Sequence, residues 1–354
     1  MHEPLEVPAD AASKAACADL NVSSPIGEWA NVGRHTLCTM ASGVDTAVGQ
    51  MVDMLKAKGM WENTLLWLTT DNGGMTTGPK ADHIGAWSAS SNYPLRGGKG
   101  TLFEGGVRGV SFVSGGYVPE SARGQTRTEL MMHVDIPATM AKIAGVTWGD
   151  KTEVDGVDVW DAIVSGGASG RDEVPVNVDT CVGLTGGPPC ARKKKYNALI
   201  SSDGYKLIEA NWVVPTCANS SWCTGAGLYD GWWSNDPYSH VMPNATTQGP
   251  MPSSDVPQGG IWLFDLSTDP NEKLNLATRQ PATVQKMRAR LAELADPKKG
   301  YRDPQFNIPN PRSFPALHNN TWSPFRKLGE SLAPPLPSEV ADATAAALAG
   351  AYWD

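Results

Sequence analysis

Apolar side chains recur at Val44, Val48, Met51, Val52 and Leu55, the spacing of one helix face, and Gly59 follows as a stop signal. The pattern predicts an amphipathic helix over residues 44–58. After a four-residue connection, residues 64–70 form a short β-rich run without polar alternation, the signature of a strand covered on both faces of a sheet. Helix and strand together read as a unit of an α/β sheet. A Gly-rich segment runs on to Gly109, followed by a short strand at 110–114 and a helix at 135–144 whose Pro137 falls in the first turn.

This rhythm holds to about residue 163 and then changes. Gly, Pro, Cys and Trp dominate from 164, and short alternating runs at 196–200, 205–209 and 261–266 predict a small antiparallel sheet with Asp203-Gly204 at one turn. Residues 281–295 place Val284, Met287, Leu291 and Leu294 on one side of a helix expected to pack on that sheet. A Pro-rich stretch from 301 to 337 and an Ala-rich end complete the chain. The expected organisation is an α/β portion over 1–180, a small sheet-plus-helix domain over 181–300 and a tail over 301–354.

Composition narrows the function classes. A chain of 354 residues with 41% hydrophobic content can bury a sizeable core. A net charge of -8 with scattered basic residues leaves no face for nucleic acid. No window is long and apolar enough for a membrane span, and the N-terminus MHEPLEVPAD has no leader features. Six cysteines (Cys17, Cys38, Cys181, Cys190, Cys217, Cys223) form no CxxC pair, so disulfides are the better reading than zinc. Sequons begin at Asn21, Asn219, Asn244 and Asn319. Cysteines and sequons together predict the secretory pathway, with an extracellular or lysosomal destination and a leader that lies upstream.

Three segments carry candidate chemistry. TTDNGG, at the carboxyl end of the predicted strand, ends in Asp71 and Asn72 before two glycines. It reads either as a capped turn or as a pair of hard oxygen ligands for Ca²⁺ or Mg²⁺, placed where functional loops of open α/β sheets fall. In NYPLRGGKGTLFEGGVRG, Lys99 sits among Gly97, Gly98 and Gly100: a compact cation offered to an anion, or a lysine on a flexible surface loop. Glu104 and Arg108, four residues apart, read as a structural ion pair. His2, in HEPLEVP, is on its own residues a solvated terminal side chain, and the other five histidines show no spacing that assigns them a role. Trp232-Trp233 is a candidate carbohydrate surface.

Taken together, HEPLEVP, NTLLWLTTDNGG, NYPLRGGKGTLFEGGVRGVSFV, DGVDVWDAI and IWLFDLSTDPNEKLNLA resemble the type I sulfatases, nearest to the arylsulfatase B branch, over roughly residues 1–295. The resemblance implies an alkaline-phosphatase-like α/β fold, incomplete at the N-terminal side, plus a small C-terminal α+β domain with an antiparallel sheet. It implies that Asp71 and Asn72 are calcium ligands, that Lys99 contacts the sulfate group, and that His2 is the active-site histidine beside the leaving oxygen. It also implies a sulfated small molecule or sulfated glycan as substrate and a Cys190–Cys217 disulfide. The family's nucleophile is a formylglycine made from Cys or Ser in C/S-x-P-x-R, and no Cys or Ser of this sequence stands in that motif. The family's first pair of metal-binding aspartates is missing as well. The expected parent activity is therefore sulfate-ester hydrolysis, with this chain a C-terminal portion of little activity alone. The alternatives are a non-catalytic glycan-binding remnant or a related metal-dependent phosphoesterase.

Overall fold

The small sheet follows the predicted alternation. In this computed structural model, which describes Cys17 and residues 28–74, 90, 92–99, 101–146, 154–178, 196–210, 260–296 and 298, four strands pair antiparallel in the order β3 (Glu173–Asn177), β4 (Tyr196–Ser201), β5 (Tyr205–Ala210) and β6 (Ile261–Asp265). Asp203 and Gly204, the latter at φ 89°, form the β4–β5 turn. Glycine adopts that backbone conformation without a Cβ penalty. β3 was not anticipated, because its Pro175 interrupts the run and a register shift follows it.

Both faces of this sheet are covered, and period-two alternation assigns each residue to a face. Leu199, Leu207 and Leu263 turn to one side and meet Val284, Met287 and Leu291 of a helix at Pro281–Leu294, as the stripe predicts. Ala198, Ile208, Ala210, Trp262 and Phe264 turn to the other side and meet Leu102 and Phe103, from the glycine-rich segment. No hydrophobic pattern in residues 97–104 anticipates this second contact.

In the N-terminal portion, a long helix α1 (Glu28–Ala57) starts sixteen residues before the predicted Val44. Of its stripe, Val48, Val52 and Leu55 are half-buried, whereas Val44 and Met51 are 47% and 45% exposed. A disulfide joins Cys17 to Cys38 on this helix. Strand β1 (Leu66–Thr69) pairs antiparallel with β2 (Ser111–Ser114), and its four residues are half-buried, so the full double-sided burial expected from its apolar run is absent among the described residues. Between the two strands lies the short helix α2 (Glu104–Val107). Helices α3 (Asp135–Ile143) and α4 (Trp160–Ser165) follow, α3 within one residue of the expected end, and the C-terminal helix becomes α5. Asp135 is buried and salt-bridged to Arg171; its carboxylate also accepts the Met132 N–H at 2.7 Å and the Val157 N–H at 2.9 Å.

All described residues belong to one compact unit, Met1–Val182 with Cys190–Tyr301. His2, the four sequons, Cys181, Cys190, Cys217, Cys223, Trp232-Trp233 and everything from residue 301 lie outside the described residues. No described helix is long and apolar enough to cross a membrane.

Candidate active site

β1 delivers the acidic turn. Thr70 closes the strand with a pair of bonds to Val110: its N–H donates to the Val110 carbonyl at 2.9 Å, and its Oγ1 accepts the Val110 N–H at 2.9 Å. Asp71, next in sequence, is exposed, and its Oδ1 accepts the Asn72 N–H at 2.9 Å; the Asn72 amide Nδ2 donates to the Gly73 carbonyl at 2.8 Å. These local bonds are turn chemistry, as one reading of the sequence had it. They use one oxygen of Asp71 and only the nitrogen of the Asn72 side chain. No bond to Asp71 Oδ2 or Asn72 Oδ1 is present among the described residues. A carboxylate oxygen and an amide oxygen are thus both open, and the hard-ligand reading is compatible with the turn. Among the described residues no group of three or more His, Cys, Asp or Glu side chains gathers for a metal, so this pair is at most part of a coordination shell.

The glycines after Asn72 let two loops interlock. Gly73 donates to the Gly106 carbonyl at 2.9 Å, and a Cβ on Gly73 would fall 1.8 Å from the Gly105 carbonyl oxygen. Gly74 is gripped by the Asn92 side chain, which accepts its N–H at 2.9 Å and donates to its carbonyl at 2.7 Å. The same carbonyl accepts the Lys99 backbone N–H at 3.0 Å. Asn92 also donates to the Gly97 carbonyl at 3.1 Å. Lys99, half-buried, is thereby fixed through its backbone two residues beyond Asn72. Two of the sequence-predicted site residues on separate segments, Asn72 and Lys99, therefore share one hydrogen-bonded construction with Asp71, and Lys99 is not on an unanchored loop.

Two residues of this construction were invisible to sequence reasoning. Asn92 reaches back eighteen residues, and nothing in its neighbourhood marks it as a clamp. His133, assigned no role from spacing, places its Nε2 2.7 Å from the Thr70 carbonyl and 3.5 Å from Thr69 Oγ1. With Asp71, Asn72, Trp67 and Arg108, it lines an open groove of about 1950 Å³.

Beneath the lysine loop lies a buried cluster of charge. Glu104 was expected to pair with Arg108. That contact exists at 3.9 Å with Arg108 largely exposed, but the short partner of Glu104 is Lys206 of β5, whose Nζ donates to Glu104 Oε1 at 2.8 Å and lies 2.9 Å from Glu272 Oε1. Glu272 in turn accepts the Glu104 N–H at 2.7 Å. Arg96 Nη1 donates to the Glu272 carbonyl at 3.2 Å, and the guanidinium lies 3.9 Å from the centre of the Phe103 ring. Lys206 and Glu272 are fully buried and Arg96 is 1% exposed. Burial, with the neighbouring Glu104 carboxylate adding to it, raises the Glu272 pKa above the ordinary 4.5, against the opposing pull of the Lys206 ammonium.

A family model described as Sulfatase matches residues 2–146. Arylsulfatase J of Mus musculus is 28% identical over 298 residues, covering 84% of this chain and 45% of that protein. Arylsulfatase A of Bos taurus is 35% identical over 238 residues, covering 66% of this chain and 37% of that protein. Among solved structures, Ps i-CgsB in complex with k-i-k-neocarrahexaose superposes with a TM-score of 0.53 at 19% identity, over 83% of this chain and 48% of that one. The chain spans less than half the length of these relatives.

Proposed function

We infer that this chain, which belongs to the sulfatase family and has its alkaline-phosphatase-like fold, serves the hydrolysis of aryl or carbohydrate sulfate esters. The observation that carries the reading is the bond from the Lys99 N–H to the Gly74 carbonyl, which ties a cation-bearing loop to the turn that presents Asp71 and Asn72. In this reading Asp71 Oδ2 and Asn72 Oδ1 are ligands of a calcium ion, a donor pair of the right hardness. When bound, the ion neutralises charge that builds on the sulfuryl oxygens. Lys99 contributes an ammonium to the same end and binds sulfate ahead of the chemistry, and His2 supplies the proton that makes the departing alkoxide a tolerable leaving group.

No Cys or Ser stands in C/S-x-P-x-R in this sequence, so formylglycine has no residue here to form from. The 354-residue chain alone is accordingly expected to turn over an aryl sulfate at or near the background rate. The Cys17–Cys38 disulfide and the four sequons support a secretory or lysosomal location. Calorimetry tests the binding reading: inorganic sulfate is titrated into the chain in calcium chloride, with Lys99→Ala and Asp71→Asn beside it. Binding that weakens in both variants is expected, and binding that both retain in full refutes the assignment.

A further inference from the structure

The small antiparallel sheet makes an unexpected connection to the lysine loop. Among the described residues its inner face is closed by residues 102–104, and the charged groups buried at that contact belong to one cluster. Lys206 shares its face of β5 with Ile208 and Ala210, two residues apart each time, and those two belong to the cluster around Phe103 and Leu102. Phe103 stacks edge-on against Trp262 at 6.0 Å and lies 6.2 Å from Phe264. Apolar contact of this kind adheres but does not fix a register, because it is non-directional.

Directional contacts are supplied by the charges. Lys206 holds Glu104 at the C-terminal end of the loop, Glu272 caps the Glu104 N–H, and the Glu272 carbonyl takes Arg96 at the N-terminal end. Arg96 and Glu104 are themselves joined through the Gly105 N–H, which donates to the Arg96 carbonyl at 2.6 Å. Both ends of the 96–104 segment therefore meet Glu272, the Glu104 end meets Lys206 as well, and Lys99 lies between them. Glu272 has φ 55°, a left-handed conformation that a non-glycine residue keeps only where its surroundings impose it. Its side chain and its carbonyl both serve the loop. Buried ion pairs are poor sources of stability but good sources of specificity, which is what a mount requires.

We propose that Lys206 and Glu272 are positioning residues for Lys99: the small C-terminal sheet is the mount on which the sulfate-binding loop is held in register with the Asp71–Asn72 turn. The functional part of this proposal rests on the reading of Lys99 given above. The positioning part does not.

The test uses the full chain and two readouts. In Lys206→Met, amide exchange across 96–106 is expected to accelerate by about tenfold or more, while strands β4 to β6 keep their protection, since loss of a local tether opens a local unit. Sulfate affinity in calcium chloride is expected to fall by at least about tenfold, toward that of Lys99→Ala. Unchanged exchange at 96–106 overturns the proposal, and so does an increase shared equally with β4 to β6, which marks a merely structural lysine. If Lys206→Met fails to fold, Glu272→Gln, which keeps the side-chain shape and withdraws only the charge, gives the same two readouts. If Lys99→Ala binds sulfate as well as the unaltered chain, the function assigned to Lys99 fails, and the exchange readout still decides the positioning.

Discussion

Gly73→Ala is the smallest change that separates the two halves of the candidate site. Gly73 is buried and is not among the residues of positive φ, so the backbone itself accepts alanine. The neighbour does not. The new methyl would sit 1.8 Å from the Gly105 carbonyl oxygen and 2.7 Å from its carbon, all backbone atoms with no flexible end to swing away. Restoring an ordinary contact of about 3.5 Å requires the 71–74 turn and the 96–106 loop to part by more than an ångström. That displacement breaks the Gly73 to Gly106 bond at 2.9 Å and strains the Lys99 to Gly74 bond at 3.0 Å. Two hydrogen bonds at about 1 kcal/mol each and overpacking of about 1–3 kcal/mol outweigh the gain of about 0.4–1 kcal/mol from a stiffer unfolded chain. The expected net loss is about 3 kcal/mol by urea denaturation, with faster exchange at residues 72–74 and 98–106. Gly49→Ala is the matched control: it lies in α1 with nothing within 4 Å of the added Cβ, and it is expected to gain about 0.5–1 kcal/mol. A Gly73→Ala protein within about 0.5 kcal/mol of the parent, with unchanged exchange, would show that the two loops are not held as described.

Other consequences can be measured directly. Because the folded-state pKa of Glu272 is raised above 4.5, its contribution to stability is fully present below that value and is lost as pH rises through the folded pKa. The parent chain should therefore gain stability relative to Glu272→Gln on acidification toward 4.5, and a pH-independent difference between the two in urea unfolding contradicts the burial argument. Replacing Cys17 and Cys38 together by serine opens a link spanning 21 residues and should cost about 3 kcal/mol, read as a lower urea midpoint under non-reducing conditions; an unchanged midpoint contradicts it. Glycosidase treatment of the chain from a secretory host should change its mobility on a gel; no change counts against glycosylation at Asn21, Asn219, Asn244 and Asn319.

Local patterns were legible in the sequence and distant ones were not. The alternation at 196–209 and 261–266 and the stripe on Val284, Met287 and Leu291 placed the small sheet and its helix correctly, because those signals depend only on which face a residue takes. The helix at 28–57 was read short because the reading began at Val44, although Met40 and Leu37, four and seven residues earlier, continue the same face. Asp71, Asn72 and Lys99 were each noticed from their glycine-rich surroundings, but the reason they lie together was not. It depends on Asn92 reaching across eighteen residues and on glycine backbones packed too closely for any Cβ. Lys206 and Glu272 escaped attention entirely: within YKLIEA and DPNE they look like solvated charges, and only the fold puts Glu104, 102 residues from Lys206, within reach.

The proposed function requires Asp71, Asn72 and Lys99 to form one binding construction for a metal ion and a sulfate group. Amide NMR of the selectively labelled 354-residue chain, titrated with calcium chloride and then sodium sulfate, tests this directly. The expected result is that calcium shifts the signals of residues 71–74 and sulfate those of 97–99 and 106, with both sets of shifts abolished by Asp71→Asn with Lys99→Ala. Shifts confined to other parts of the chain, or the same shifts in the doubly substituted protein, would contradict it.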